Sequence, residues 1–241
     1  MFFLIHLLKL DSFDHHINNI TCFIKNFSLF YKLFNIFFYI IIFNKIYKGF
    51  YMKVIGIVGS PRANGNTEFM VKTTLEKIES ENIETELITL YDKDINFCVG
   101  CDACKKSNEC VIDDDMAELT EKVKEADGII MSSPVYFGDM TGLAKTFIDR
   151  LRPLRNVHSF KYKVCGAIST GGFRNGGQET TIHSIYDFFL IQGGIVVGDD
   201  RPTAHYGATG VGDTSKDEVA LETCNHLATR MVDVLKKING R

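Results

Sequence analysis

Residues 54–67, VIGIVGSPRANGNT, constrain the fold more than any other stretch of this chain. The first five, Val54-Ile55-Gly56-Ile57-Val58, are apolar or glycine and rich in β-branched side chains. That suits a parallel strand buried on both faces, which shows no alternation. A loop of small and turn-forming residues follows, and a helical stripe of Met70, Val71, Thr74, Leu75 and Ile78 begins near Thr67. Strand, glycine-containing polar loop and helix, in that order, aim backbone N–H groups and a helix N-terminus at an anion. Around Gly65, the side chains of Ser60, Asn64, Asn66 and Thr67 add neutral donors and Arg62 a charged one. The loop has neither the G-x-x-x-x-G-K-S/T of a nucleotide triphosphatase nor the G-x-G-x-x-G of a dinucleotide fold. A cradle rich in hydroxyls and amides fits a phosphate monoester, with riboflavin monophosphate (FMN) the candidate. An ordinary strand-to-helix turn is the competing reading.

A chain of 241 residues has room for one sizeable domain and something more. Its net charge of −3 gives no sign of a nucleic-acid surface. Seven cysteines without a regular framework do not read as a secreted disulfide scaffold.

Residues 1–51 differ from the rest. They hold 11 of the 19 Phe and one of the 20 Gly, and no Ala, Val, Pro, Arg or Glu. Only residues 36–43 are unbroken and apolar, short of the roughly 20 that a membrane span needs. A secretory signal would need a basic start and a small-residue cleavage site, and neither is present. The favoured reading is translation upstream of a true start at Met52; a membrane anchor and a disordered or packed extension are the alternatives. The domain is expected over residues 52–241.

Further strands are expected at residues 84–90 (ETELITL), 128–132 (GIIMS), 161–169 (KYKVCGAIS) and from Ile195. Helical stripes fall at Met116, Leu119, Val123 and Ala126; at Leu143, Phe147 and Leu151; at Ile182, Ile185 and Phe189; and at Ala220, Cys224, Leu227, Met231 and Leu235. Asp115 and Glu118 have the spacing of a helix-starting capping box. Five strands alternating with five helices predict a three-layer α/β domain with a parallel sheet and helices on both faces. Ligands of such sheets lie beyond the carboxyl ends of the strands.

Residues 52 to about 238 resemble the flavodoxin-like family of NADPH-dependent FMN reductases, and within it the iron–sulfur flavoproteins. The resemblance rests on Gly59-Ser60-Pro61-Arg62-x-x-Gly65-Asn66-Thr67, on Ser133-Pro134-Val135-Tyr136-Phe137-Gly138, and on the cysteines before Asp114-Asp115-Met116. It implies a five-stranded sheet of order 2-1-3-4-5 and non-covalent FMN. Ser60, Arg62, Asn64, Gly65, Asn66 and Thr67 would hold the phosphate. Pro134, Val135, Tyr136, Phe137 and Gly138 would run beside the isoalloxazine ring, giving backbone hydrogen bonds to its polar edge. Thr170, Gly171 and Gly172 would form the third wall. No side chain is required as a chemical catalyst, since flavin N5 takes the hydride. His183 and His205 read as structural or solvent-facing. The resemblance also implies a homodimer or homotetramer.

Cys98-x2-Cys101-x2-Cys104-x5-Cys110 is the second strong signal. Iron–sulfur clusters and structural zinc both use four cysteines. Three at x2 spacing plus one outlier resembles 4Fe–4S ligation, and the iron–sulfur flavoproteins show the same compact pattern; metal-free thiols and zinc are the alternatives. Because the loop leaves strand two, it should start near the flavin end of the sheet. Cys165 and Cys224 read as buried small hydrophobes. The expected protein is a cytoplasmic FMN oxidoreductase with a 4Fe–4S cluster, taking electrons from a small molecule such as NAD(P)H or from a ferredoxin-type donor. Alternatives are a cluster-free NAD(P)H-dependent FMN, quinone or nitroaromatic reductase, and a non-enzymatic FMN electron carrier. Neither nucleic acid nor a membrane is expected as a partner.

Overall fold

In the computed structural model, which describes residues 52–240, the apolar run becomes strand β1 (Lys53–Val58), buried from Val54 onward. The reading of residues 1–51 lies outside the described residues. Parallel neighbours are β2 (Glu84–Thr89) on one side and β3 (Gly128–Pro134) on the other, followed by β4 (Val164–Gly171) and β5 (Ile195–Val196). The strand order is therefore 2-1-3-4-5, as the resemblance implied. A further strand, β6 (Ala208–Val211), pairs with Ile168–Gly171 of β4, whereas β5 pairs with Val164 and Cys165. β3 occupies the opposite edge of β4, so β5 and β6 share the fifth position end to end, interrupted by residues 197–207.

The connecting helical segments among the described residues are α1 (Asn66–Glu79), α2 (Cys104–Ser107), α3 (Met116–Glu125), α4 (Gly142–Arg150), α5 (Arg152–Asn156), α6 (Gln178–Gln192) and α7 (Glu218–Ile238). Side chains alternate across β1. Val54 and Val58 pack with Met70, Val71 and Leu75 of α1 and Leu227 and Met231 of α7. Ile55 and Ile57 pack with Leu119 and Val123 of α3, Phe147 of α4 and Ile182 of α6. Burying each such side chain contributes about 1.5–3 kcal/mol, so both faces of β1 demand a helical cover. Gly56 sets how closely α1 approaches, because a Cβ there would lie 2.5 Å from Val71 and 2.9 Å from Leu75.

Two local expectations are corrected. Asp115 sits in helical conformation (φ −62°, ψ −12°), which does not turn its side chain over the first turn as an extended N-cap does. Its carboxylate instead accepts the Asp94 N–H at 2.8 Å, Asp114 accepts the Met116 N–H at 3.1 Å, and Glu118 pairs with Lys122. β4 starts at Val164 rather than Lys161, because Tyr162 takes φ +72° and the Lys163 N–H closes a turn onto Phe160.

Candidate functional site

At the carboxyl edge of the sheet, the loops after β1, β3 and β4 enclose a cleft of about 420 Å³. Ser60, Arg62, Asn64, Gly65, Asn66 and Thr67 line one end; Pro134, Val135 and Tyr136, and Thr170, Gly171 and Gly172, line the rest, with Gly212 beside them. The size falls in the range of cofactor pockets. α1 begins at Gly65 without a side-chain cap. Its first N–H groups therefore lack an intrahelical acceptor and stand at the cleft wall. An uncapped helix start beside neutral donors and a single exposed cation fits a phosphate monoester. The 134–136 and 170–172 segments are adjoining strand ends, joined by the Val135 N–H to the Thr170 carbonyl at 2.8 Å, and together they line the rest of the cleft.

Long-range hydrogen bonds fix the walls to each other. Thr67 and Thr170 place their hydroxyl oxygens 2.7 Å apart in a buried position. Thr141, the N-cap of α4, donates to the Gly59 carbonyl at 2.6 Å and accepts from Ala144. Glu68, buried in the first turn of α1, accepts the Asn64 N–H at 2.7 Å and pairs with Lys72 at 2.6 Å. That holds Asn64 in the left-handed region (φ +52°). Gln178 spans the loop after β4, accepting from Gly176 at 2.9 Å and donating to Phe173 at 2.7 Å.

Two expected positions fall outside the cleft lining. Tyr136 and Asp139 exchange backbone hydrogen bonds around Phe137 (φ +54°) and Gly138 (φ +82°). Positive φ at both central residues is the tight turn that throws a side chain outward, and the Phe137 ring is fully exposed. Because Val135 donates to the Thr170 carbonyl and Tyr136 to Asp139, the donors this segment has left are the N–H groups of Phe137 and Gly138. The side chain of Asn66 is also occupied: its amide donates to the Gly212 carbonyl, and its oxygen accepts from Thr214 at 3.3 Å. Sequence reading reached Gln178 only as part of a weaker 175–179 extension of the third wall, and missed Glu68, Thr141 and Gly212. Glu68 carried a local signal, an acid in the first turn of a helix that starts at a glycine; Gly212 carried none.

The cysteine loop leaves the carboxyl end of β2, but its sulfurs stand elsewhere. Cys98, Cys101, Cys104 and Cys110 line one small cavity with Arg150 and Arg152. Arg150 ends α4, the helix whose start holds Gly59, so about 13 Å of helix axis separates the two sites. Gly100, Asp102 and Asn108, all at φ near +60°, bend the loop around the cavity. Among the described residues, no three His, Cys, Asp or Glu side chains are grouped as a chelate for one ion.

Arg150 is 1% exposed. Its Nη1 and Nη2 reach the two oxygens of Asp114 at 2.6 and 2.8 Å, and Nη1 also donates to the Asn96 carbonyl at 2.6 Å. Nε is buried and has no partner among the described residues. Burial opposes the charge of Arg150, but Asp114 and Cys110 beside it hold its pKa above the ordinary value. Burial likewise opposes the charge of Asp114, yet Arg150 and the N–H groups of Asn96 and Met116 bring its carboxyl down to about 2. Burial pushes the Cys104 thiol up, against the pull of Arg152. A buried cation with an unused N–H, facing four thiols, fits an anionic four-cysteine centre.

Cys165 and Cys224 are fully buried, and burial, helped by the Asp217 charge and opposed by a hydrogen bond with Thr74, pushes the Cys224 thiol to about 12. His183 is exposed and lies 4.4 Å from the Tyr206 ring. His205 has a partner no local pattern announced, Asp199, at 3.7 Å. No helix among the described residues is long and apolar enough to cross a membrane.

A sequence profile described as NADPH-dependent FMN reductase matches residues 52–209. An iron–sulfur flavoprotein of Methanocaldococcus jannaschii is 52% identical over 191 residues, covering 78% of this chain and 99% of the relative. An iron–sulfur flavoprotein of Methanosarcina thermophila is 41% identical over 188 residues, covering 78% of this chain and 97% of the relative. Among solved structures, a WrbA-like flavodoxin from Agrobacterium tumefaciens superposes with a TM-score of 0.56 at 17% identity, over 77% of this chain and 98% of that one. At that identity the likeness concerns the fold alone.

Proposed function

Since the chain belongs to the NADPH-dependent FMN reductase family and is a flavin-dependent oxidoreductase, we propose that FMN occupies the cleft at the carboxyl edge of the sheet and that Cys98, Cys101, Cys104 and Cys110 hold a 4Fe–4S cluster. The observation that carries this reading is the convergence of the loops after β1, β3 and β4 on one cleft, with all four cysteines around a second cavity. The names of the two archaeal relatives support the second cofactor.

Bound in the cleft, FMN supplies hydride and single-electron transfer, and a cluster supplies single-electron relay. The chain's own residues bind and orient. Ser60, Asn64, Thr67 and the uncapped start of α1 hold the phosphate, with Arg62 at the open side. Pro134, Val135 and Tyr136, with Thr170, Gly171 and Gly172 on the adjoining strand end, would line the space for the ring, and the N–H groups of Phe137 and Gly138 would meet its polar edge. The exposed rings of Phe137 and Phe173 at the rim give a second copy of the chain an apolar surface to cover. NAD(P)H or a ferredoxin-type protein delivers electrons, and a reducing cytoplasmic setting suits the free thiols.

The test is anaerobic purification with an absorbance spectrum, FMN quantitation, and iron and acid-labile sulfide assays. Flavin with about four iron and four sulfide per chain supports the reading. Flavin without iron assigns a cluster-free reductase, and absence of flavin removes the central argument.

A further inference from the structure

We infer that Arg150 is a positioning residue that sets the reduction potential of the centre held by the four cysteines, by presenting its Nε–H and its charge to their sulfur atoms. The inference rests on the cluster reading above and concerns what this chain adds to it.

Three features of the site support it. The guanidinium is buried at the end of α4 and forms part of the wall of the cysteine cavity. Asp114 and the Asn96 carbonyl take its Nη atoms, which fixes the planar fork and leaves Nε buried and unpartnered in a residue that lines the cysteine cavity. Arg152 lines the same cavity without such a brace; its Nη1 donates to Asn156, itself on the short helix α5.

Reduction adds one electron to the centre and moves no proton. A fixed N–H donor and a positive charge at the sulfurs favour the more negative, reduced form, most of all where water is excluded. Asp114 is held by the Nη atoms and so leaves the Nε edge of the guanidinium free. A lysine keeps the charge but has no planar fork with which to serve Asp114 and the sulfurs together.

The experiment is a dithionite titration of the holoprotein followed by electron paramagnetic resonance, on the wild type, Arg150→Lys, Arg152→Met and the double variant Arg150→Met/Asp114→Asn. The double variant removes both charges and so strands neither. With FMN content unchanged, its potential is expected to fall by about 59 mV or more, a tenfold change for one electron. Arg150→Lys should fall by less, and so should Arg152→Met, which removes a charge but no braced donor. An unmoved potential in both Arg150 variants overturns the inference and leaves the cluster reading intact; an iron-free wild type overturns both. Should the Arg150 variants lose iron, the wild type and Arg152→Met decide, grown with 15N-arginine and studied by electron–nuclear double resonance. A 15N coupling to the reduced centre that survives in Arg152→Met supports the assignment, and its absence overturns it.

Discussion

Thr67 in the first turn of α1 and Thr170 near the end of β4 place their hydroxyl oxygens 2.7 Å apart, although 103 positions separate them. Both are nearly inaccessible, at 2% and 6% exposure. Replacing Thr170 with valine keeps the shape and leaves the Thr67 oxygen buried without its partner, at a cost of about 1–3 kcal/mol. Thr170→Val is therefore expected to lower the urea midpoint and weaken FMN binding together. An unchanged midpoint would show that the two loops are held by other contacts.

Gln178 gives a second lever on the same wall. Its amide closes the loop after β4 by bonding Gly176 and Phe173, and a Cβ at Gly171 would run into that amide. Gln178→Leu leaves both backbone groups without this partner, so the ring-facing segment should loosen while the sheet beneath it stays intact. The expected result is weaker flavin retention on a desalting column with a melting temperature within a few degrees of wild type. Retention equal to wild type would contradict the role assigned to the loop.

The phosphate end is built mostly from neutral donors, and Arg62 is exposed. An exposed charge pair contributes about 0–1 kcal/mol. Arg62→Ala should accordingly weaken FMN binding by no more than about fivefold, and 0.5 M salt should have a similarly small effect on the wild type. A loss of a hundredfold by fluorescence titration would mean that Arg62 closes over the phosphate.

The Asp114 carboxyl is brought down to about 2, below its ordinary value near 4. A depressed carboxylate stabilises the fold above its unfolded pKa, and that contribution fades as pH falls through the folded one. The window therefore lies between about pH 4 and pH 2, and the contribution is about 2 kcal/mol. Urea midpoints measured downward from pH 5 should fall more steeply for wild type than for Asp114→Asn. At neutral pH the same variant should be less stable by about 3–5 kcal/mol, because it leaves Arg150 buried and unpaired. Parallel acid slopes would remove Asp114 from this account.

Residues 52–240 fall within one compact unit, and the alignment with the Methanocaldococcus relative covers 99% of that protein within 78% of this chain. A chain beginning at Met52 is expected to fold and to retain FMN. Failure of that shorter chain to bind flavin would give residues 1–51 a role in the domain.

Local physics wrote most of the fold into the chain. An unbroken, β-branched apolar run reads as a strand covered on both faces, and a glycine-containing polar loop before a helical stripe reads as the turn between them; the reason for Gly56 came only with the structure, where a Cβ would meet Val71. The strand and turn signals need no knowledge of distant residues; the family resemblance supplied the fourteen expected cofactor positions, and twelve of them line one cleft. The two exceptions, Phe137 and Gly138, depend on a pair of left-handed backbone conformations. An aromatic residue gives no warning of such a conformation.

What the sequence by itself determined was the order of elements, the phosphate-cradling loop and the compact set of four cysteines, because each is a pattern within about fifteen residues. Only the tertiary structure decided which partners those residues meet. Asn66 clips Gly212 across 146 positions, His205 finds Asp199, and Arg150 settles under the cysteine loop with Asp114. It also decided that the cysteines lie at the far end of α4 from the phosphate loop, although their segment starts beside it. The physical reason is that a buried polar group takes whichever partner the packed chain brings within hydrogen-bonding reach, and packing is a property of the whole sheet rather than of any one segment.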